Sequence, residues 1–318
     1  MTLYMRKIII LTMVLFMTAP SLLAQNSAMS YYRKIANEKR KVEKKRLKYV
    51  QYDVLGDNPK KADKYRVMVV TQVESSMETI KRMKPYKGDS AFRNDYVRVL
   101  DLYRLAYTKK YGNIQELEVA SSNSYEDMMK YLDAVGDMEM VIEEAAEKLR
   151  RNEEYFSNKY NFRLNIDEEM EEQYYVLADV LYYTRDVYRS YYRVEDQLNA
   201  FLESTEEFDV KTARIYQRSI VKAIEKSISE IVVLGEFDGD DNHLEEVIDL
   251  MEDLESKMKR DLVEILDLAD EGSYDERQWD KAIKKLEVFK EEIMEFKMAY
   301  SESRTRFVED YLPEDFEQ

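Results

Sequence analysis

The sequence predicts an all-α protein, an elongated helical bundle made of two duplicated units of about four helices each. Three observations carry this reading. Turn formers are scarce, with 7 Gly and 4 Pro in 318 residues, as long helices joined by short loops require. The stretch 167–205 holds neither Gly nor Pro, and alternate steps of four and three through it collect Met170, Tyr174, Leu177, Leu181, Thr184, Tyr188, Tyr191, Glu195, Leu198 and Leu202. Eight of these ten are apolar or aromatic, the pattern of a coiled-coil seam. Tyr175, Val176, Tyr182, Tyr183 and Tyr192 lie on its other sides, so this helix needs cover on more than one face. Third, one offset of 151 residues brings later helices onto earlier ones.

Residues 1–24 read as a secretory leader. Arg6 and Lys7 precede an apolar run at 8–17, and Ala24 stands at the expected cut before Gln25. A run of ten residues, broken only by Thr12, is too short for the roughly 20 that cross a bilayer. No later stretch is long and apolar enough, so no transmembrane segment is expected after cleavage. The first unit, 25–166, opens with a basic helix containing RKIANEKRKVEKKRLK, in which Ile35, Val42 and Tyr49 recur every seven residues. Gly56 to Pro59 separates it from a helix carrying Tyr65, Val69, Val73, Met77 and Ile80. A third helix begins at Ala91 and reaches Tyr111 or beyond, with 112–124 read as a broken continuation. A fourth covers 125–160, weakened locally by Gly136.

The second unit, 167–318, starts with the 167–205 helix. Helices follow over 210–234, from about 242, and from beyond a turn near Gly272 and Ser273, the last carrying Trp279, Ile283, Leu286, Phe289 and Ile293. The 151 shift sets Tyr65 on Tyr216, Val69 on Ile220, Val73 on Ile224, Ile80 on Ile231, Met128 on Trp279, Leu132 on Ile283 and Ile142 on Ile293. It also sets Tyr86-Lys87-Gly88-Asp89 on Phe237-Asp238-Gly239-Asp240. In this reading Gly88 and Gly239 end a helix in the left-handed conformation. Asp89 or Ser90, and Asp240 to Asn242, then cap the next helix.

The segment METIKRMKPYKGDSAFRNDYVRVLDLYRLAYTKKYGNIQELE, followed by SYEDMMKYLDA, resembles a family of bacterial exported helical surface proteins of unknown function. The shared feature is an aromatic-x-Gly-Asp turn between amphipathic helices, present twice here. The resemblance implies export and a helical fold, and supplies no catalytic or binding residue.

Candidate chemistry is sparse. Without Cys, disulfides, thiolate metal sites and a thiol nucleophile are excluded. His243 stands alone, so di-iron ligation by paired Glu-x-x-His motifs is excluded too; it matches Phe92 under the shift and reads as structural. Asp238, Asp240 and Asn242 mimic the start of a calcium loop, but His243 and Asp249 occupy the places where Gly and Glu belong. A capping cluster is the better reading, and no cofactor is expected. The 26 tyrosines read chiefly as core with hydroxyls at the rim.

Charge is uneven. Residues 25–166 hold 28 Lys/Arg against 22 Asp/Glu, while 167–318 hold 19 against 43. A formal net charge of −16 together with export opposes nucleic-acid binding. Arg40, Lys44, Lys45 and Lys48 are therefore expected to meet acids of the second half, or else an anionic envelope surface. The function expected is a non-enzymatic exported scaffold or protein-binding module of the cell envelope, its partner another envelope protein or a second copy of itself. The alternative is a ligand-binding module with a Tyr-lined groove between the two units, including Tyr182 and Tyr183.

Overall fold

A computed structural model describes residues 2–56, 58–164, 168–206, 208–272 and 275–313, with the side chains of 2–26, 168 and 272 left undescribed. The expected leader and its cut lie outside the residues whose side chains are described, as does part of the turn at Gly272 and Ser273. The protein is all-α, with 88% of the described residues helical. The helices are α1 (Thr2–Leu55), α2 (Pro59–Arg82), α3 (Ala91–Leu105), a π-helical turn (Ala106–Lys110), α4 (Tyr111–Ser121), α5 (Tyr125–Tyr160), α6 (Glu168–Ser204), α7 (Val210–Leu234), α8 (Asn242–Gly272) and α9 (Glu276–Asp310). Among the described residues, no helix is long and apolar enough to cross a membrane.

Two compact units form, and their limits differ from the expected break at 166. The first comprises Met1–Glu116 and Asp133–Tyr174; the second comprises Leu117–Leu132 and Tyr175–Gln318. Side-chain anchoring explains both exchanges. Tyr174 and Glu171 open α6 but are held by Arg46 and Lys39 of the first unit. Conversely, the Tyr192 hydroxyl donates to the Ser121 carbonyl at 3.1 Å, and Met128 and Leu132 pack on Tyr192. Those two residues thus belong to the second unit, so their expected match to Trp279 and Ile283 has no counterpart in the core of the first.

In the first unit, α1 contributes Ile35, Val42 and Tyr49, α2 Val69, Val73 and Ile80, α3 Tyr96, Leu100 and Tyr103, and α5 Ala145, Leu149 and Phe156, all buried. Asn58 caps α2 by accepting from the Lys61 N–H at 3.0 Å, with Pro59 at the first helical position, where its missing N–H costs nothing. The doubtful stretch after Tyr111 is helical to Ser121; the irregularity sits earlier, in the π turn. A π turn disturbs the regular carbonyl ladder, and Arg66 compensates by donating to the Tyr107 carbonyl at 2.7 Å.

In the second unit the seam of α6 runs one step out of phase with the expected one. Leu177, Thr184, Tyr191 and Leu198 are buried as foreseen, but Val180, Val187, Val194 and Phe201 are buried between them. Leu181, Tyr188, Glu195 and Leu202 are only half-buried. Both orders of threes and fours have the same seven-residue period; the one adopted keeps the Glu195 carboxylate out of the seam. Ile220, Ile224 and Ile231 of α7, Met251, Leu254 and Met258 of α8, and Leu286, Phe289 and Ile293 of α9 complete this core.

The two turns share one geometry. Tyr86 and Asp89 form a bridge, as do Phe237 and Asp240, and both central residues of each turn have positive φ: Lys87 51°, Gly88 86°, Asp238 50° and Gly239 82°. This is the type I′ conformation. The expected helix-ending role is corrected: α2 stops at an extended Met83 and α7 at Gly235, φ 78°, so Gly88 and Gly239 lie beyond the helix ends, inside the turns. Asp89 accepts from the Ala91 N–H at 2.9 Å and Asp240 from the Asn242 N–H at 3.0 Å. A Cβ at either glycine would touch nothing within 4 Å, so the cost of Ala there is conformational. We expect Gly88→Ala and Gly239→Ala each to lower stability by about 1–2 kcal/mol, read as a shift of the urea midpoint at unchanged slope.

Aromatic packing around the turns also recurs. Tyr86 meets Phe156 at 5.9 Å and 75°, and Phe237 meets Phe307 at 5.5 Å and 83°. Tyr86 meets Tyr160 at 4.9 Å and 86°, and Phe237 meets Tyr311 at 5.1 Å and 89°. The stack of Phe92 on Phe156 corresponds to that of His243 on Phe307, with ring planes 17° and 22° apart. Every one of these partners is shifted by 151.

For α1 and α6 the recurring contacts are shifted by 152. Tyr31 packs on Tyr86 at 5.4 Å as Tyr183 does on Phe237 at 5.2 Å. The Ser76 hydroxyl donates to the Glu38 carbonyl, and the Ser227 hydroxyl to the Ser190 carbonyl.

Candidate functional site

The unusual chemistry lies inside the first unit, on the apolar side of α1. Ile35, Lys39, Val42, Arg46 and Tyr49 are spaced four, three, four, three, which places Lys39 and Arg46 between the seam's apolar residues. Arg46 is 1% exposed. Its guanidinium donates to Glu43 Oε2 at 2.7 Å and to the Tyr174 and Tyr107 hydroxyls at 2.5 and 3.4 Å. It also lies over the rings of Tyr103 and Tyr174, 4.3 and 4.5 Å from their centroids. Burial disfavours the charge, but Glu43 and the surrounding tyrosine oxygens outweigh it and hold the group protonated.

Two turns earlier, the Lys39 ammonium lies 3.6 Å from Glu153 Oε2 and 3.3 Å from Glu171 Oε1. The Tyr96 hydroxyl donates to Glu153 Oε1 at 2.9 Å. Burial pushes the Glu153 carboxyl above its usual range, against the pull of Lys39 and the Tyr96 hydrogen bond. Burial also works against the Lys39 charge, and Glu153, Glu43 and Glu171 together raise its pKa despite it.

These groups border a cavity of about 260 Å³. Tyr32, Ala36 and Met170 supply its apolar wall; Arg33, Asn37, Lys39, Arg40, Glu43, Glu153 and Glu171 supply its polar wall. Both charge signs face one small space, an arrangement suited to binding a polar ligand by several charge-assisted hydrogen bonds.

The second unit has a different interior at the equivalent place. The 152 shift carries Ala36 to Tyr188 and Lys39 to Tyr191, and the 151 shift carries Leu149 to Tyr300. Tyr191 and Tyr300 stack with centroids 3.5 Å apart and planes at 6°, and Tyr188 lies 6.0 Å from Tyr191 and 6.1 Å from Tyr300. Arg46 corresponds to Leu198, fully buried among apolar residues. Where the first unit lines a space with charged side chains, the second stacks tyrosine rings, with Glu195 and Arg304 beside them.

The residues singled out from sequence fall in several places. Arg40, Lys44 and Lys48 share one face of α1, four residues apart; Arg40 lines the cavity, Lys44 is exposed, and Lys45 and Lys48 are half-buried. Tyr183 is a corner residue, packing on Phe237 and Phe307 and donating to the Gly235 carbonyl at 3.1 Å. Burial, with Asp240 nearby, pushes its hydroxyl up to about 12. Tyr182 lies half-buried beneath Arg185, 5.0 Å from its centroid.

Asp240 Oδ1 accepts from both the Asn242 backbone N–H and its side-chain amide nitrogen, at 3.0 and 2.7 Å. Among the described residues, no group of three or more His, Asp or Glu is placed to hold a metal ion. His243 is 2% exposed and shares a 2.8 Å hydrogen bond with Ser303. Burial and Arg304 depress its pKa to about 4.

The residues missed from sequence are Ala36, Lys39, Arg46, Glu153 and Glu171. The signal was present for the α1 pair: stepping from Ile35 by fours and threes lands on Lys39 and Arg46. Read as a basic face meeting the acidic half or an anionic surface, that helix hid two inward cations. No protein-family model matches the chain, and no curated protein or solved structure matches it significantly.

Proposed function

We propose that this is a non-enzymatic exported helical protein of the cell envelope, whose binding function resides in the cavity of the first unit. The single observation carrying the binding reading is the contrast between that charged cavity and the stacked tyrosines at the matching place in the second unit. The recurring turns, ring pairs and serine hydrogen bonds support descent of the two units from one duplicated precursor. On that view the second copy is a filled scaffold and the first a hollow binding copy. The leader-like 1–24 segment supports export, and the resemblance to exported surface proteins agrees with it. The basic face bearing Arg40, Lys44 and Lys48 then contacts acids of this chain, an envelope protein partner or an anionic envelope surface.

Native mass spectrometry of the chain purified from its own envelope fraction tests the binding reading. We expect a small adduct on wild-type protein that is lost in Ala36→Tyr, a change placing in the cavity the side chain that Tyr188 supplies in the second unit. An adduct of equal occupancy in a folded Ala36→Tyr variant would contradict it.

A further inference from the structure

We infer that the groove between α8 and α9, on the surface of the second unit, binds a single-chain anionic amphiphile of the fatty acid class, its carboxylate held by Lys281 and Lys284 and its hydrocarbon laid over Ile265, Val288 and Phe289. This does not rest on the cavity of the first unit. The five residues line one open groove together with Asp261, Glu264, Lys285 and Glu292. Charge decides the sign of the ligand. Each acid of the lining already has a cation: Asp261 has Arg260 at 2.7 Å, Glu264 has Lys285 at 2.7 Å and Glu292 has Lys257 at 3.5 Å. Asp280 and Glu287 do not line the groove, and Glu287 is paired with Lys290 at 2.8 Å. Lys281 and Lys284 are both exposed, and among the described residues neither pairs with an acid. Like charges one helical turn apart repel, and an anion lying between them relieves that repulsion.

The ion pairs also fix where the charges lie. Lys257 pairs with Glu292, and Glu264, seven residues further along α8, pairs with Lys285, seven residues earlier on α9. The two helices therefore run antiparallel, in a register that sets Lys284 opposite Ile265 and Lys281 opposite Leu268. Along the axis, Asp261 then lies about 10 Å from Lys281 and Glu292 about 16 Å from it. Only Glu264 is nearer, and it is held by Lys285. One end of the groove is cationic, and the other closes on matched ion pairs. Ile265 and Phe289 are each 2% exposed and form the floor, while Val288 is 54% exposed. An acyl chain lying there removes apolar surface from water, which a simple anion would leave wet. The 151 shift carries Lys284 to Asp133 and Val288 to Asp137, so neither residue belongs to the plan the two units share. The surplus of acids over 167–318 opposes an anion at long range. Screening over about 8 Å at physiological ionic strength leaves the two adjacent lysines dominant.

Trp279, the one tryptophan of the chain, stands two residues before Lys281 and reports on the groove by its fluorescence. Decanoate, kept below its micelle concentration, is expected to change that emission saturably. Methyl decanoate, with the same chain and no charge, should bind at least about fivefold more weakly. Butyrate and inorganic phosphate, anions without a long chain, should bind at least about tenfold more weakly. Lys281→Gln and Lys284→Gln should each weaken decanoate about fivefold, and together about 25-fold if they act independently. Both remove exposed charge, and circular dichroism checks that the variants fold. Failure of decanoate to bind folded wild-type protein would overturn the inference, as would equal binding of the methyl ester or undiminished binding by the folded double variant. Phosphate binding as tightly as decanoate would leave an anion site and no amphiphile site. Ala36→Tyr should bind decanoate as wild type does, so this inference and the cavity reading fail separately; loss of decanoate binding in that variant would place the ligand in the cavity and overturn the groove assignment.

Discussion

Replacing Arg46 by alanine is expected to lower stability by about 3–5 kcal/mol, because it leaves the Glu43 carboxylate without its cation in a buried site. The guanidinium also supplies hydrogen bonds to two tyrosine hydroxyls and lies over two tyrosine rings, so the loss is of packing as well as charge. The informative comparison is a double variant. Leu198 fills the corresponding position of the second unit, showing that this helix layer accepts a hydrocarbon. Arg46→Leu with Glu43→Leu should therefore recover most of the stability lost by Arg46→Leu alone. Urea unfolding of wild type, both single variants and the double variant checks this. Additive losses would mean that Arg46 and Glu43 are not energetically coupled.

The second large effect is a pH dependence centred on His243. The folded protein holds the ring neutral, with a pKa depressed to about 4, whereas an unfolded histidine titrates near 6.5. The unfolded state thus binds the extra proton first as pH falls. Stability from this group is complete above about 6.5, declines below it and is lost by about 4. A shift of that size corresponds to at most about 3 kcal/mol. Carboxylates titrate in the same window, so the difference between wild type and His243→Phe isolates the histidine. Phe92 occupies the matching place in the first unit and makes the same stacking contact, so the variant should fold. We expect it to lose less stability than wild type between pH 6.5 and 4. Parallel curves would show that the ring is not held neutral.

How much of this was legible depended on whether the signal was periodic. A helix start marked by Pro with a polar cap was readable, since Asn58 with Pro59 opens α2, whereas α7 closes at Gly235 and not at the Gly239 expected to end it. The period of α6 was readable too, but its phase was not, because a seven-residue repeat admits both 3-4 and 4-3 orders. Only the cost of burying Glu195, weighed against Val194, separates them. The shared turn was visible as Gly-Asp, whereas its type I′ form required both central φ values. The unit limits were the least legible, since single anchors such as Arg46 to Tyr174 and Tyr192 to Ser121 have no sequence period. The cavity combined both problems. Lys39 and Arg46 sat at seam spacing within a run of nine cations over 33–48, where burial of a charge is the less expected outcome. Their acids, Glu153 and Glu171, come from other helices.

We propose that the two units share one architecture, lined with charge around a cavity in the first and packed with stacked tyrosines in the second. A crystal structure of the natively purified chain tests this most directly. Density beyond water is expected within hydrogen-bonding reach of Glu171 and Arg33, in a cavity beside Ala36. At the matching place Tyr191 and Tyr300 are expected to be stacked in contact. A first unit closed over that space by its own side chains, with Lys39 turned to solvent, would contradict it.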